Sequence, residues 1–588
     1  MKKLIISMMI ICLCASTTLF AADGDWTSTV SGGNYSDTAN WDGATVADGV
    51  GATMYYTNTV PNAFSVNVDD SRTLGTIISA NSGDWRGLAT STGVLTLDNG
   101  VSSPIINVNN MWAMLFTTPL AGVNGFTKTG TAGMGFWGPT TISGNVILND
   151  GWMGVYNDQG YQNADVVLNA GILRIGNGIN VYAKSITTSG GKIMPDGIAG
   201  NVANINAPLS LGNGEWATVI DSDALDNITI NINSNSVLRD NAYLNIGGTG
   251  SILNINAPIS GPYLVRFLQH SGIVGDVATV KINSPCTYTG NTMCYNWRAS
   301  GIYELGVNQA LPGENELYFD LNEDNATSYL MFELNSYTQV IKNLSFQPGA
   351  SAAHANKYIE VTGNSDGLLI VTNQLWSVDN SNGRHIKLTG GKLVCDAPGC
   401  SLGTKMYISN ATFLNNGSWW AGTAAEFIML PGGKIGGSGF LGWEGGASTN
   451  LVIAAGATIT PGTSIGTVGC WNLELKEGSL YDWEIGTGTA DMVDVRGGLT
   501  LPASAVNSVT VNVSQLSGIP SGQTNWLAQT AEGVTGSADS VYMNYPPELT
   551  GPEHPEILWG HLMVTGIIPE PATLGLIAVL GLAFLRKK

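Results

Sequence analysis

Charge is scarce in this 588-residue chain: Asp, Glu, Lys and Arg together supply 12% of it, with 24 cations against 44 acids. Solvated helix faces need far more Lys, Glu and Arg than this, so composition argues against a helical fold. An apolar fraction of 44% equally argues against a disordered chain. Arginine occurs at only nine positions and the interior holds no run of cations. That removes nucleic acid as a partner, because phosphate binding works through clustered cations that displace counterions.

Histidine is scarcer still. The five, His270, His354, His385, His554 and His561, show no H-E-x-x-H or other close ligand spacing, and only His554 and His561 approach each other. Apparent catalytic motifs lack their context. "GTSIG" (Gly462 to Gly466) matches a nucleophile elbow, but Pro461 precedes Ser464 and a strand-like run follows, where a helix is required. "GSGFLG" (Gly437 to Gly442) lacks the βαβ surroundings of a dinucleotide site. "DLNEDN" places Asp320, Asn322 and Asp324 at the alternating positions of a calcium loop. Its glycine position is Asn325 and its twelfth is Met331, so the bidentate carboxylate is missing and a solvated acidic turn is the simpler reading. In "DMVDV", Asp491 and Asp494 read as turn acids of a structural strand. The sequence therefore assigns no catalytic residue, no metal and no cofactor, and the expectation is a non-enzyme.

What is abundant is glycine, 76 residues, set among short Val, Ile, Leu and Thr runs. "NINAPLS" (Asn204 to Ser210) recurs as "NINAPIS" (Asn254 to Ser260) fifty residues later, two coils of about twenty-five, and "KINSPCT" begins at Lys281. Gly151, Gly171 and Gly191 lie twenty apart, each after a strand-like run; "GGK" at Gly390 and Gly432 is separated by forty-two, or two coils. A period of 20 to 27 residues with Gly and Asn corners predicts an all-β chain. The expected fold is an elongated right-handed parallel β-helix, or solenoid, with a C-terminal β closing region and a short C-terminal hydrophobic helix. The expected boundaries are a signal peptide at 1–21, a solenoid body at 22–468, a closing region at 469–545, a Pro-rich linker and last strand at 546–568, and a sorting signal at 569–588. The last strand, "ILWGHLMVTGII", should leave Pro569 just beyond folded structure. The open ends of such a stack need blunting, here by the Trp-containing segment 26–56 and by something after Cys470.

The two ends read as export signals. Lys2 and Lys3 precede an apolar run from Leu4 to Cys14, and cleavage is expected near Ala21 and Ala22 by signal peptidase. With those lysines and the three terminal cations removed, 19 cations face 44 acids, a formal charge near −25. Near the C-terminus, Ala572 to Leu585 is fourteen residues with only Thr573 polar, short of the ~20 that cross a bilayer. Pro569, Glu570 and Pro571 precede it, and Arg586, Lys587 and Lys588 follow. These residues resemble the PEP-CTERM sorting signal. The resemblance implies an exosortase partner, transient membrane insertion and removal of the tip.

Along the body, "GFTKTGTAGMGFWGPTTISGNVILNDGWMGVYN" (Gly125 to Asn157) and "INSPCTYTGNTMCYN" (Ile282 to Asn296) resemble autotransporter-associated β-strand repeats. "GATITPGTSIGTVGCWNLELKEGSLYDWEI" (Gly456 to Ile485) resembles the closing stretch of such passengers, and "ANWDG" (Ala39 to Gly43) resembles a common start. No β-barrel translocator of the autotransporter kind follows, so the sorting tail takes over the role of self-translocation.

Five cysteines lie beyond the signal segment. In an oxidising exported compartment the short spacings favour bridges Cys286–Cys294 and Cys395–Cys400, leaving Cys470 free. Sixteen Trp, with Trp419 and Trp420 adjacent and Trp443 nearby, suit either glycan stacking or the covering of turns. Two functions remain: an exported structural or adhesion protein of the cell surface or extracellular matrix, associated with envelope or exopolysaccharide, or a polysaccharide-active β-helix enzyme such as a lyase, or a glycan-binding protein. The enzyme reading requires Asp and Arg or Lys to converge across neighbouring coils.

Overall fold

A strand whose alternate residues are apolar can bury one face, and here that rule repeats coil after coil. In the computed structural model, residues 21–569 are described apart from 60–62, 91, 159, 213–217, 223–224, 271–274, 298, 322–328, 348–356, 378–384, 422–425, 443–448, 487–488, 504–505, 516–522, 548 and 559–560. Among them there is strand and three short 3-10 turns but no α-helix. The expected C-terminal helix, the signal segment 1–20 and Glu570 to Lys588 lie outside the described residues.

The chain divides into two units, Met1–Asn245 with Ser251–Tyr263, and Ile246–Gly250 with Leu264–Lys588. Each is a parallel β-solenoid. In the first unit, strands Phe64–Val68, Arg86–Thr90, Ala113–Phe116, Gly133–Phe136, Trp152–Val155, Ile172–Ile175 and Lys192–Pro195 lie parallel in that order. Val66, Leu88, Phe116, Phe136, Val155 and Ile175 stand one above another as an inward column, all essentially without exposure. In the second unit Phe267, Cys294, Phe319 and Phe346 form the corresponding column across strands Val265–His270, Thr292–Trp297, Glu316–Leu321 and Thr338–Gln347. One coil alone could bury none of these side chains; stacking makes the core continuous.

The repeats fall where the spacing places them. Asn204 pairs with Asn231 and Asn231 with Asn254, so the interval of fifty is one coil of 27 and one of 23. The side-chain amides join into ladders: Asn254 donates to Asn231 at 2.7 Å and Asn231 to Asn204 at 2.7 Å, while Asn256, Asn233 and Asn206 repeat the arrangement at 2.8 and 2.9 Å. Ladders of this kind satisfy outward polar side chains, in the strand for the first and just past it for the second, with copies of themselves. The "GGK" interval resolves into Lys392 on Thr412 and Thr412 on Lys434, coils of 20 and 22. Coil length ranges more widely than the sequence period, from 19 residues between Gly135 and Gly154 to 35 between Leu499 and Val534. Corners absorb these insertions because lengthening a surface loop costs little.

Corner chemistry explains the Lys-Thr-Gly motif. Lys128 is fully buried, and its Nζ donates to the carbonyls of Thr129, Gly130 and Asp150 at 3.1, 2.5 and 2.9 Å. A turn that would otherwise bury unpaired carbonyls is satisfied by one ammonium, although burial pushes the lysine down to about 8.

Both ends are covered. At the start, Trp26, Tyr35 and Trp41 are buried; Trp41 Nε1 donates to the Tyr35 carbonyl at 2.8 Å, and the indoles of Trp26 and Trp41 meet edge to face at 5.2 Å. The "ANWDG" stretch forms two 3-10 turns here, with Gly43 at φ 58°. At the other end the pairing turns antiparallel: His561–Pro569 lies against Gln523–Thr530 and forms a hairpin with Glu556–Leu558. The expected single last strand is thus two, and Pro569 is not beyond the fold: it pairs with Leu549. Proline fits there because it is the last residue of the strand and the pairing with Gln523–Thr530 stops at Ile567, so no N–H is needed on that side.

Replacing Lys128 by Met should destabilise the protein by about 2 to 4 kcal/mol, since three buried carbonyls lose their donor. Denaturant unfolding of the two proteins measures this; equal stability would mean that water serves the corner as well.

Candidate functional site

Because inward positions are committed to the core, chemistry can only be carried by outward positions and corners. The sequence-derived candidates distribute accordingly. Ala22 exchanges backbone hydrogen bonds with Asp48 at 2.9 and 3.0 Å. Ser464 lies between strands Thr458–Pro461 and Thr467–Cys470, with no helix following, as its neighbours required. His554 Nδ1 faces the Val541 carbonyl at 2.9 Å, whereas His561 Nδ1 accepts from the Thr530 N–H at 3.0 Å, so the structure does not combine them. The side chains of Trp419 and Trp420 are outside the described set, as are His354 and Trp443. Asp494 lies beside Arg496 at 3.7 Å in an open cleft of about 410 Å³, whose Phe440 ring is covered by the Arg496 guanidinium at 4.1 Å.

Asp491 is fully buried. Its carboxylate accepts the N–H groups of Gly466 and Glu484, both at 2.8 Å, and its carbonyl accepts Trp483 Nε1–H at 2.6 Å. It fastens a turn, which is the structural role read from the sequence, while burial pushes it up to about 7. Among the described residues no group of three or more His, Cys, Asp or Glu could hold a metal, and no helix is long and apolar enough to cross a membrane.

The Asp320 position corrects the reading of a solvated acidic turn. Asn322 and Asp324 lie outside the described residues, but Asp320 is in the strand Glu316–Leu321, pointing outward and mostly covered. Its register partner is Tyr295, on the coil before. The guanidinium of Arg266, one coil further back, lies over the Tyr295 ring at 4.5 Å. Burial pushes Asp320 up to about 6, and the Arg266 charge pulls it part of the way back. Tyr318 is raised by burial and by Asp320, so its phenol keeps its proton. At the edge of the same face, His270 stacks on Trp297 at 4.7 Å, and Trp297 is 44% exposed.

An acid that titrates near 6, an arginine and two tyrosines across three coils can exchange protons and hold an anionic group. The sequence reading missed this set because Arg266, Tyr295 and Asp320 are separated by 29 and 25 residues, and nothing local to any of them marks the others. The coil period was the one available signal, since it places all three in neighbouring columns.

The five cysteines are buried and are thiols in the structure. Cys294 belongs to the phenylalanine column, and both Cys286 and Cys294 act on the phenol of Tyr288. Cys395 and Cys400 flank the corner between strands Lys392–Cys395 and Gly399–Leu402, with their Sγ atoms 2.7 Å apart.

No family model matches the chain. A region of 305 residues, 50% of the chain, is 22% identical to "Adhesin BmaC autotransporter" of Brucella suis biovar 1 (strain 1330), of which it spans 8%. With the parallel coils, this similarity fits an autotransporter-like β-repeat protein.

Two outcomes are expected. Asp320 and Asp491 bind protons more tightly in the folded than in the unfolded chain, where carboxylates titrate near 3.8. Their contribution to stability is complete below that value and is lost as pH rises through about 6 and 7. The melting temperature should therefore fall between about pH 4 and pH 7, less steeply in Asp491→Asn; an unchanged slope would show that this group does not titrate there. Protein exported to an oxidising compartment should give, without reduction, a peptide linking Cys395 to Cys400, because a bond needs only a small approach of the two sulfurs. Free thiols at both positions would overturn this.

Proposed function

We propose that the chain is an exported structural and adhesion protein of the cell surface or extracellular matrix, associated with envelope polysaccharide and without catalytic activity. The observation that carries this reading is the stack of parallel coils itself, whose similarity to an adhesin extends over half of the chain. A stack of coils presents long rows of outward side chains at fixed spacing, which suits many weak contacts made together. The formal charge of −20 keeps such a surface soluble and away from nucleic acid. Delivery follows from the two ends: signal peptidase acts near Ala21 and Ala22, and an exosortase reads Pro569, Glu570 and Pro571, the apolar run and the basic tip.

A second reading, polysaccharide lyase, is favoured by Arg266 and Asp320, on the coils either side of the Tyr295 coil. There Arg266 would hold a uronate carboxylate and Asp320 would take the proton beside it, the electron pair forming the double bond as the neighbouring glycosidic C–O bond breaks and its oxygen leaves to be protonated from water.

Native protein from the producing cell should end before Arg586, and removal of Pro569 to Lys588 should leave it exported but no longer held at the surface. Cells lacking the protein should adhere less to a polysaccharide-coated surface. An intact C-terminus alongside an active exosortase, or unchanged adhesion, would refute the proposal. Purified protein incubated with polygalacturonate or alginate should yield no unsaturated ends; their appearance, and their loss in Asp320→Asn, would establish the lyase instead.

A further inference from the structure

The first unit carries an aromatic surface that no other argument has used. On the outward face of the strands Ala113–Phe116, Gly133–Phe136 and Trp152–Val155, three positions are glycine: Gly133, Gly135 and Gly154. Rings from neighbouring positions occupy the space above them. A Cβ on Gly133 would fall inside the Trp152 indole, one on Gly135 would press on Trp137, and one on Gly154 would press on Tyr156. None of the three has a positive φ, so the turn geometry does not require glycine there; the rings do.

Two ring pairs result. Trp112, 52% exposed, lies 5.5 Å from Trp152 at 57°. Trp137, 39% exposed, stacks on Tyr156 at 3.9 Å and 9°. The Trp152 ring lies over Gly133 and the Trp137 and Tyr156 rings over Gly135 and Gly154, two residues further along the strands, which sets the pairs roughly 7 Å apart, room for neighbouring rings of one chain. Polar groups join them. The Tyr156 hydroxyl hydrogen-bonds to Asp196, Asp196 lies 3.6 Å from the Arg174 guanidinium, and that guanidinium lies over the Trp152 ring at 4.9 Å.

We propose that this face binds a neutral polysaccharide, with pyranose rings on Trp112 and Trp137 and hydroxyls on the Arg174–Asp196 pair. Exposed indoles backed by a second ring are rigid apolar platforms, and exposed aromatic surface of this extent marks an interaction site. Planar charged groups beside such platforms give and accept the hydrogen bonds that sugar hydroxyls offer. The charges decide the class of glycan. Arg174 is matched by Asp196, and the adjacent Lys192 by Asp221 at 2.7 Å, so the face offers no excess cation to a polyanion, and the chain as a whole repels one.

This rests on the reading of the chain as polysaccharide-associated and names the partner and the place. Binding to purified protein tests it separately from export and adhesion in cells: a chain that is sorted and adhesive but binds no neutral glycan would overturn this inference alone. Isothermal calorimetry and tryptophan fluorescence with cellohexaose, xylohexaose and laminarihexaose should show saturable binding of at least one. Trp112→Ala and Trp137→Ala should each weaken it by about tenfold in protein that still unfolds cooperatively, and Trp137→Phe, which keeps a ring on Tyr156, should recover most of the loss. No binding of any of the three, wild-type affinity in both alanine variants, or preference for oligogalacturonate would each overturn the proposal.

Discussion

Every part of this molecule depends on the register with which each coil lies on the one before it. The parallel ladder aligns a residue with its counterpart some 19 to 35 positions earlier, so one shift of a single residue would turn a column such as Val66, Leu88, Phe116 and Phe136 out of the core. Register also lines up outward side chains and corners. The asparagine ladders exist because Asn204, Asn231 and Asn254 occupy one level, and Lys128 serves three carbonyls because two turns are brought together beneath it.

The same constraint fixes where function can sit. Inward positions of each unit are committed to its core, antiparallel strands lie at the C-terminal end of the second unit, and the Trp26, Tyr35 and Trp41 cluster covers the start of the first. Outward positions are left, and register arranges them in columns too. In the second unit this assembles Arg266, Tyr295 and Asp320; in the first, it sets three glycines among four aromatic rings. The two faces differ in electrostatics, one carrying a carboxyl raised by burial beside an arginine, the other balanced pair by pair.

Much of the architecture was legible because it is local. Alternation over four to six residues declares a strand, and Gly151, Gly171 and Gly191 declare corners, since Gly171 packs directly against the Gly151 carbonyl where a side chain would collide. Legibility failed where a residue's meaning lies one coil away. Asp320 looked like part of a solvated acidic turn because Asn322 and Asp324 follow it; its real surroundings are Tyr295 and Arg266. Pro569 looked like a break, and it pairs with Leu549 through an antiparallel return that no local pattern announces.

The sequence by itself determined that this is an all-β repeat chain of parallel coils, because short-range alternation and corner residues are properties of neighbours along the backbone. Only the tertiary structure decided which outward side chains share a column. Coil length varies from 19 to 35 residues, and a loop that adds a few residues at a corner changes every pairing distance along the chain without changing any local pattern. Trp112 and Trp152 meet across forty residues, and Arg266 and Asp320 across fifty-four, through corner loops whose lengths are invisible to periodicity.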